Sequence, residues 1–394
     1  MRELDKLIAE LCPNGVEFVK LGDIAVRTKG TPITAAQMKT RDKSDAPVKI
    51  FAGGKTVAYF DYSDLPAKDI KNRPSVIVKS RGVIEFEYYD KPFSHKNELW
   101  SYHSERDDVD IKYLYYLLKT QESRLQEKAM SMGAFPQISI PDTEQLRVPL
   151  PPLEVQREIV RILDNFTELT AELTAELTAR KKQYNHYRDE LLTFDKGVIY
   201  KPLGEVCEYA DYRGKTPKKT ESGTFLITAK NIRKGYIDYE TSKEYVNSAD
   251  YDTIMRRGKP NIGDVLITTE APCGHVAQLD RDDIALAQRV IKYRGHIGII
   301  NNSFLKHILL ANEFQLKLLK ATTGGTVKGI KGSRLHKLTV PVPPLEEQDR
   351  IATLLDRFEV LTTDISIGLP AEIAARQKQY EYYRDKLLTF KEIA

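Results

Sequence analysis

The feature that most constrains this chain is an internal repeat of long helical segments. Residues 151–194 read PPLEVQREIVRILDNFTELTAELTAELTARKKQYNHYRDELLTF, and residues 343–390 read PPLEEQDRIATLLDRFEVLTTDISIGLPAEIAARQKQYEYYRDKLLTF. The openings align at an offset of 192, which pairs Gln156 with Gln348, Asp164 with Asp356 and Phe166 with Phe358. The ends align at an offset of 196, which pairs Tyr187 with Tyr383 and Phe194 with Phe390. The second copy is therefore longer by about one helical turn. Weaker echoes precede each copy: Leu21-Gly22-Asp23-Ile24 resembles Leu203-Gly204-Glu205-Val206, and Val148-Pro149-Leu150 resembles Val340-Pro341-Val342. Such a repeat fixes the plan of a fold before any residue is read singly. The plan is globular, helical, globular, helical, with segments 1–150, 151–196, 197–342 and 343–394.

Each helical segment starts after a Pro-Pro pair, with Glu in its first turn to complement the helix dipole. In the first, Val155, Ile159, Ile162, Phe166, Leu169 and Leu173 step by four and three, a heptad seam. The seam continues through Leu177, Tyr184, Tyr187 and Leu191. The second copy offers Ile351, Leu354, Phe358, Leu361 and Ile365, then Tyr380, Tyr383 and Leu387. Gly368 and Pro370 in its middle should kink or break it. A helix of about 40 residues is roughly 60 Å long and cannot bury its stripe alone. Packing the two against each other as an antiparallel coiled coil, related by a pseudo-two-fold axis, is the economical solution; packing each on its own domain is the alternative. Residues 170–177 contain TAEL twice, a period near the helical 3.6, so adding or removing a unit changes the length by ~6 Å with a modest rotation. Such a segment suits a spacer.

The globular halves read as α+β. Short β-rich runs at Ser75–Lys79, Phe225–Thr228 and Asp264–Thr268 alternate with Gly, Pro, Asn and Asp turns, and one helix follows in each half, from Ile111 and over Asn302–Leu319. Basic and polar residues gather in loop-like stretches at corresponding places. In the first half they are Arg27, Lys29 and Thr31, then Lys79, Ser80 and Arg81. In the second they are Arg213, Lys215, Thr216, Lys218 and Lys219; Lys230, Asn231 and Arg233; Thr268; and Lys328, Lys331 and Arg334. Arg and Lys bind phosphate or read guanine, and Asn reads adenine. The charge distribution agrees. Residues 198–342 hold 23 Lys and Arg against 15 Asp and Glu, whereas residues 1–150 hold 23 against 22. A basic domain suits a polyanion.

Chemistry is missing. No phosphate-binding loop, nucleophile elbow, HExxH or GxGxxG occurs, nor the Asn/Asp-Pro-Pro-aromatic tetrapeptide of amino-methyltransferases. The seven histidines form no metal-spaced pair, and Cys12, Cys207 and Cys273 are too scattered for a zinc site or a disulfide framework. No apolar run is long enough to span a membrane, and the charged N-terminus lacks a signal peptide's apolar core, so a cytoplasmic location is expected. A binding protein without a catalytic residue, metal or cofactor of its own is expected.

The segments PPLEVQREIV and PPLEEQDRIA, each leading to QYxxYRDxLLTF, resemble the conserved helical regions of type I restriction–modification specificity subunits, and the TAEL run resembles the spacer repeats of some members. The resemblance covers the whole plan. It implies that each globular half is a target-recognition domain reading one half of a split site in double-stranded DNA, and that the coiled coil sets the gap. It implies two partner methyltransferase subunits that bind S-adenosylmethionine, and two restriction subunits using ATP and Mg. The alternative is a stand-alone bipartite DNA-binding scaffold or repressor; a purely structural coiled-coil protein is a third reading.

Overall fold

The computed structural model describes residues 2–131, 135–194, 197–212, 217–324, 328–363 and 368–393. The chain forms two compact units, residues 1–171 with 375–394, and residues 172–374. Each unit is therefore a globular domain joined by stretches of long helix from both repeats.

In the first unit a two-stranded antiparallel ribbon, Glu17–Lys20 with Arg147–Leu150, closes the domain at its base. A four-stranded sheet comes next, in the order Val26–Thr28, Trp100–His103, Ser75–Lys79, Glu85–Tyr89. All its neighbours are antiparallel. A second, three-stranded sheet has Val48–Phe51 at its centre, antiparallel to Val57–Phe60 and parallel to Phe93–His95. Helices Ile111–Thr120 and Glu122–Ser131 succeed the sheets in the chain. Tyr102, Tyr113, Leu114 and Leu118 are fully buried in the core they share.

The second unit repeats this wiring with a different sequence. Its ribbon is Ile199–Pro202 with Thr339–Val342. Its four-stranded sheet runs Cys207–Asp211, Val290–Gly295, Val265–Thr269, Cys273–Gln278. Its second sheet again pairs an early strand, Thr224–Ile227, in parallel with a late one, Ile284–Leu286. The chain-order pattern of first, fourth, second, third in the large sheet is the same in both units. Of these second sheets the sequence reading anticipates one strand, the run at Phe225–Thr228; their pairing has no counterpart in it.

The strands expected at Ser75–Lys79 and around 225–228 and 264–268 are present within a residue. The helix expected over Asn302–Leu319 is instead two, Asn302–Leu310 and Asn312–Ala321, broken at Ala311, whose φ −65° and ψ 145° are extended. A residue distant in the chain supports the break: the Asp189 carboxylate accepts from the Asn312 amide at 3.1 Å, satisfying a free donor at the start of the second helix.

The first repeat is one helix, Leu153–Leu191, of 39 residues; it is called the central helix below. The second is broken, as Gly368 and Pro370 require, into Leu345–Thr363 and Leu369–Leu387. Pro370 falls in the first turn of the later helix, where its missing N–H costs nothing. Ile365 lies outside the described residues. The two repeats meet in antiparallel sense, and they do so inside each unit. In the first, the Phe166 ring stacks on Tyr383, centroids 5.4 Å apart and 23° between planes. In the second, the equivalent pair is Phe358 and Tyr187, 5.9 Å and 32°. Not all of the seam serves this pairing. Val155, Ile159 and Leu163 are fully buried in their own domain's core, as are Ile351 and Leu355, while Leu361 is 54% exposed. Both solutions weighed from the sequence are thus in use, mutual packing and packing on the parent domain. No helix among the described residues is long and apolar enough to cross a membrane.

Candidate nucleic-acid interface

In the first unit, strands Val26–Thr28 and Ser75–Lys79 both run antiparallel to Trp100–His103, with Thr28 opposite Ser101 and Val78 opposite Trp100. Their C-terminal ends, and the loops beyond them, therefore lie at one end of the sheet. The loop after Thr28 is pinned. Thr31, buried, donates its hydroxyl to Asp69 at 2.7 Å and its amide to the His95 carbonyl at 2.7 Å. A Cβ on Gly30 would fall 2.3 Å from the Lys96 carbonyl oxygen, so only glycine passes there. Lys29 is left exposed on the wall of a cleft of about 870 Å3. Lys68, Lys71, Asn72 and Arg73 line the same cleft. Burial pushes the Lys71 ammonium's pKa down; it donates to the Asp69 carbonyl at 2.8 Å. Arg73, exposed, pairs with Glu105 at 3.2 Å. The cleft, whose lining also holds Asp69 and Glu105, adds candidates that the sequence reading missed: its lysines come from a segment without a glycine-rich or repeated signal.

The remaining first-unit candidates divide. Arg27 is half-buried and bonds Glu144 at 3.1 Å. Lys79 is buried between Glu85 at 2.9 Å and Glu87 at 2.8 Å; burial penalises its charge, but the two carboxylates outweigh that and raise its pKa. Ser80 is buried and donates to the Glu98 carbonyl at 2.7 Å. Arg81 is exposed, its backbone bridged to Gln137.

In the second unit, Arg213, Lys215 and Thr216 lie outside the described residues. Lys218 is exposed, and Lys219, exposed too, pairs with Glu244 at 2.7 Å. Lys230 is exposed. Asn231 is fully buried and spends its side chain internally. It accepts from the Thr228 amide and hydroxyl, and donates to the carbonyls of Asp238 and Ser242, each at 2.9 Å. These bonds fold the loop that carries Lys230 and Arg233. Arg233 is held by Thr241 at 2.9 Å. Thr268 is fully buried and accepts from the His275 amide at 2.9 Å. Lys328, Lys331 and Arg334 are exposed. The fold brings their loop to the strand end at Thr268: Ile330 donates its amide to the Thr269 carbonyl at 2.9 Å, and Glu270 pairs with Gly329. Two clusters distant in sequence thus share one tip.

The repeated Pro-Pro-Leu-Glu-x-Gln motif has a structural meaning that its sequence does not disclose. Gln156 is fully buried. Its amide oxygen accepts from the Asp110 N–H at 2.9 Å, and its nitrogen donates to the Asp108 and Pro151 carbonyls, both at 2.8 Å. Gln348, also fully buried, accepts from the Asn301 N–H at 2.8 Å and donates to the Ile299 and Pro343 carbonyls at 2.9 and 2.8 Å. Asp110 and Asn301 are the N-caps of the domain helices. Each glutamine therefore rivets the start of a long helix to the start of its domain's helix. Asp164 and Asp356 add a second rivet about two turns along. Asp164 accepts from Lys112 at 2.8 Å and Tyr116 at 2.6 Å; Asp356 accepts from Lys306 and His307, both at 2.8 Å.

Among the described residues, His307, Asp356 and Glu359 are the group close enough to share a metal ion. The Lys306 ammonium already bridges the two carboxylates, and burial lowers the pKa of His307. The cluster reads as a domain–helix joint.

Two matches to the family "Type I restriction modification DNA specificity domain" cover residues 13–180 and 196–375. The EcoR124I/EcoR124II specificity subunit of Escherichia coli is 33% identical across 95% of this chain and 94% of its own length. A putative type I restriction enzyme specificity subunit of Haemophilus influenzae is 33% identical across 63% of this chain and 64% of its own. Among solved structures, the type I restriction-modification S subunit from M. genitalium superposes with a TM-score of 0.58 at 17% identity, covering 95% of this chain and 96% of that one. That likeness concerns the fold alone.

Proposed function

Because the chain belongs to the family of type I restriction–modification DNA specificity subunits, we propose that each of its two units reads one half of a split DNA target. In this family methylation and cleavage are the work of partner subunits, and this chain supplies recognition. The observation that carries the bipartite reading is the shared wiring of the two domains with unlike loops: one scaffold, used twice, presents different exposed side chains. Lys29 and the cleft of Lys68, Lys71 and Arg73 supply phosphate contacts in the first unit, with Arg81 at the neighbouring tip. Lys218, Lys230, Lys328, Lys331 and Arg334 do so in the second, together with Arg213, Lys215 and Thr216. Arg27, Arg73, Lys219 and Arg233, whose charges are paired in the free chain, exchange a carboxylate for a phosphate. Thr31, Lys79, Ser80, Asn231 and Thr268 shape the loops from within.

The partners are two adenine methyltransferase subunits, which bring S-adenosylmethionine, and two restriction subunits, which bring ATP and Mg. The central helix, about 58 Å long, sets the number of unread base pairs between the half-sites. The test is to co-purify the chain with a candidate adenine methyltransferase and map the methylated adenines. The expected target is two short sequences around a fixed unread gap. A single contiguous target overturns the bipartite reading, and tight specific binding with no partner at all favours a stand-alone scaffold.

A further inference from the structure

The second unit holds a cavity of about 440 Å3 that none of the candidate DNA contacts lines. Its walls are the end of the central helix, the turn at 234–236 and the start of helix Asn312–Ala321. Three cations line it: Lys181, Arg188 and Lys234. The two lysines are exposed and have no ion pair among the described residues. Arg188 is only 7% exposed; its guanidinium lies 5.5 Å from the centre of the Tyr184 ring. Its ion pair is with its own chain neighbour, Asp189, at 3.3 Å, whereas well-made pairs of this kind close to about 2.8 Å. Asp189 is also committed elsewhere, accepting from the main-chain and side-chain N–H groups of Asn312. The one carboxylate in the lining, Glu359, is bonded to Lys306. The cavity therefore carries surplus positive charge, part of it on a buried guanidinium, and a buried cation without a full counter-charge is costly. The turn is held in place. Gly235, at φ +103°, donates its amide to the Val276 carbonyl at 2.8 Å, and a Cβ there would fall 2.6 Å from a Glu359 oxygen. That fixes Lys234 and Tyr236 at the cavity wall.

The repeat supplies an internal control. Tyr184, Arg188 and Asp189 recur in the first unit as Tyr380, Arg384 and Asp385. The cation–ring contact recurs at 5.8 Å, but there the ion pair is close, at 2.7 Å. Lys181 and Asn185 do not recur: Gln377 and Glu381 stand in their places and bond each other at 3.1 Å. The shared frame belongs to the fold, and the extra charge of the second unit calls for an anion of its own. We propose that this cavity binds a phosphate group. Arg188 is the deep contact, Lys181 and Lys234 close round it, and Asn185 adds a donor at the rim. A planar guanidinium matches phosphate oxygens, and ammonium groups add charge. The phosphate is that of a free nucleotide, for which the volume lies in the range of small-ligand sites, or that of a duplex backbone. The inference holds independently of the split-target reading.

The experiment titrates the full chain with magnesium-free ATP, with inorganic pyrophosphate and with an unmatched DNA duplex. Replacing Lys181→Gln and Asn185→Glu together gives the second unit the residues that the first carries at those positions. One ATP or pyrophosphate site per chain is expected, weakened by roughly tenfold or more in the double variant. Lys234→Ala, on an exposed turn, is expected to weaken the same binding severalfold, and thermal midpoints are expected to stay where they are. Nucleotide binding lost with duplex affinity retained identifies a free phosphate ester as the ligand. Duplex affinity lost without any nucleotide site identifies the DNA backbone. Anion and duplex affinities that both survive the double variant and Lys234→Ala would overturn the assignment. Two equal anion sites per chain would overturn it as well, because the first unit lacks the charges that make one.

Discussion

At the residue scale, the decisive side chains are buried amides rather than surface charges. Gln156 satisfies one N–H and two C=O groups at the joint. Replacing it with Leu, of similar volume, leaves those groups unpaired in a dry site, at about 1 kcal/mol or more for each. Gln156→Leu and Gln348→Leu are each expected to cost roughly 3 kcal/mol in a urea melt; a loss under about 1 kcal/mol would show the rivet to be incidental. His95 gives a pH signature. Its ring is fully buried, 3.1 Å from the Lys96 carbonyl and 3.1 Å from the Ser101 hydroxyl, and burial pulls its pKa down to about 4. The unfolded chain takes up this proton near the ordinary value of about 6.5. Stability from His95 is therefore complete above that value and is lost as pH falls toward 4, by up to about 3 kcal/mol. His95→Gln is expected to flatten the fall in stability between about pH 7 and 4.5; an unchanged slope assigns the acid sensitivity elsewhere.

At the scale of elements, the central helix owes its continuity to its composition and to small internal bonds. Through the TAEL run, Thr167, Thr170 and Thr178 return their hydroxyls to carbonyls four residues back, at 3.0, 2.8 and 2.9 Å. These bonds let Thr sit mid-helix without competing for the backbone of a neighbouring turn. Leu169, Leu173 and Leu177 are only half-buried, so the run is not locked into a core at either end. Deleting residues 171–174 shortens the helix by ~6 Å and rotates its C-terminal portion by about 40°. With duplex DNA rising ~3.4 Å per base pair, both half-sites are expected to persist with the gap reduced by one or two base pairs. Methylation mapping of the deletion variant reads this directly, and an unchanged gap would remove the ruler. The other long repeat illustrates what sequence conveys well: Gly368 and Pro370 announce a break, and the helix stops at Thr363 and restarts at Leu369. Asn302–Ala321 illustrates what it conveys poorly, because the break at Ala311 is supported by Asp189, 123 residues away.

At the scale of the whole molecule, the repeat, the α+β halves and the antiparallel meeting of the long segments were legible, because helical periodicity and duplicated motifs are local signals. The candidate interface was legible only in part. Thr31, Lys79, Ser80, Asn231 and Thr268 carry the same polar chemistry as neighbouring exposed residues, and only the fold shows that their partners are internal. Lys68, Lys71 and Arg73 were overlooked because the cleft that unites them with Lys29 is made by pieces remote in the chain. Electrostatic binding tests the resulting division. Lys29, Arg81 and Lys218 replaced together by Ala are expected to lower the slope of log affinity against log salt by roughly 3, on matched and unmatched duplexes alike. A slope that does not move would place the polyanion on another face.

The glutamine rivets carry one more implication. Each seals its joint with main-chain partners alone, so it takes no account of which loops the domain displays. A domain excised at its ribbon and riveted position can seat in the other socket and still find the main-chain bonds of the glutamine rivet. On the bipartite reading proposed above, such cassettes let new pairings of half-sites arise by exchange of whole blocks, without a fresh core having to be designed each time.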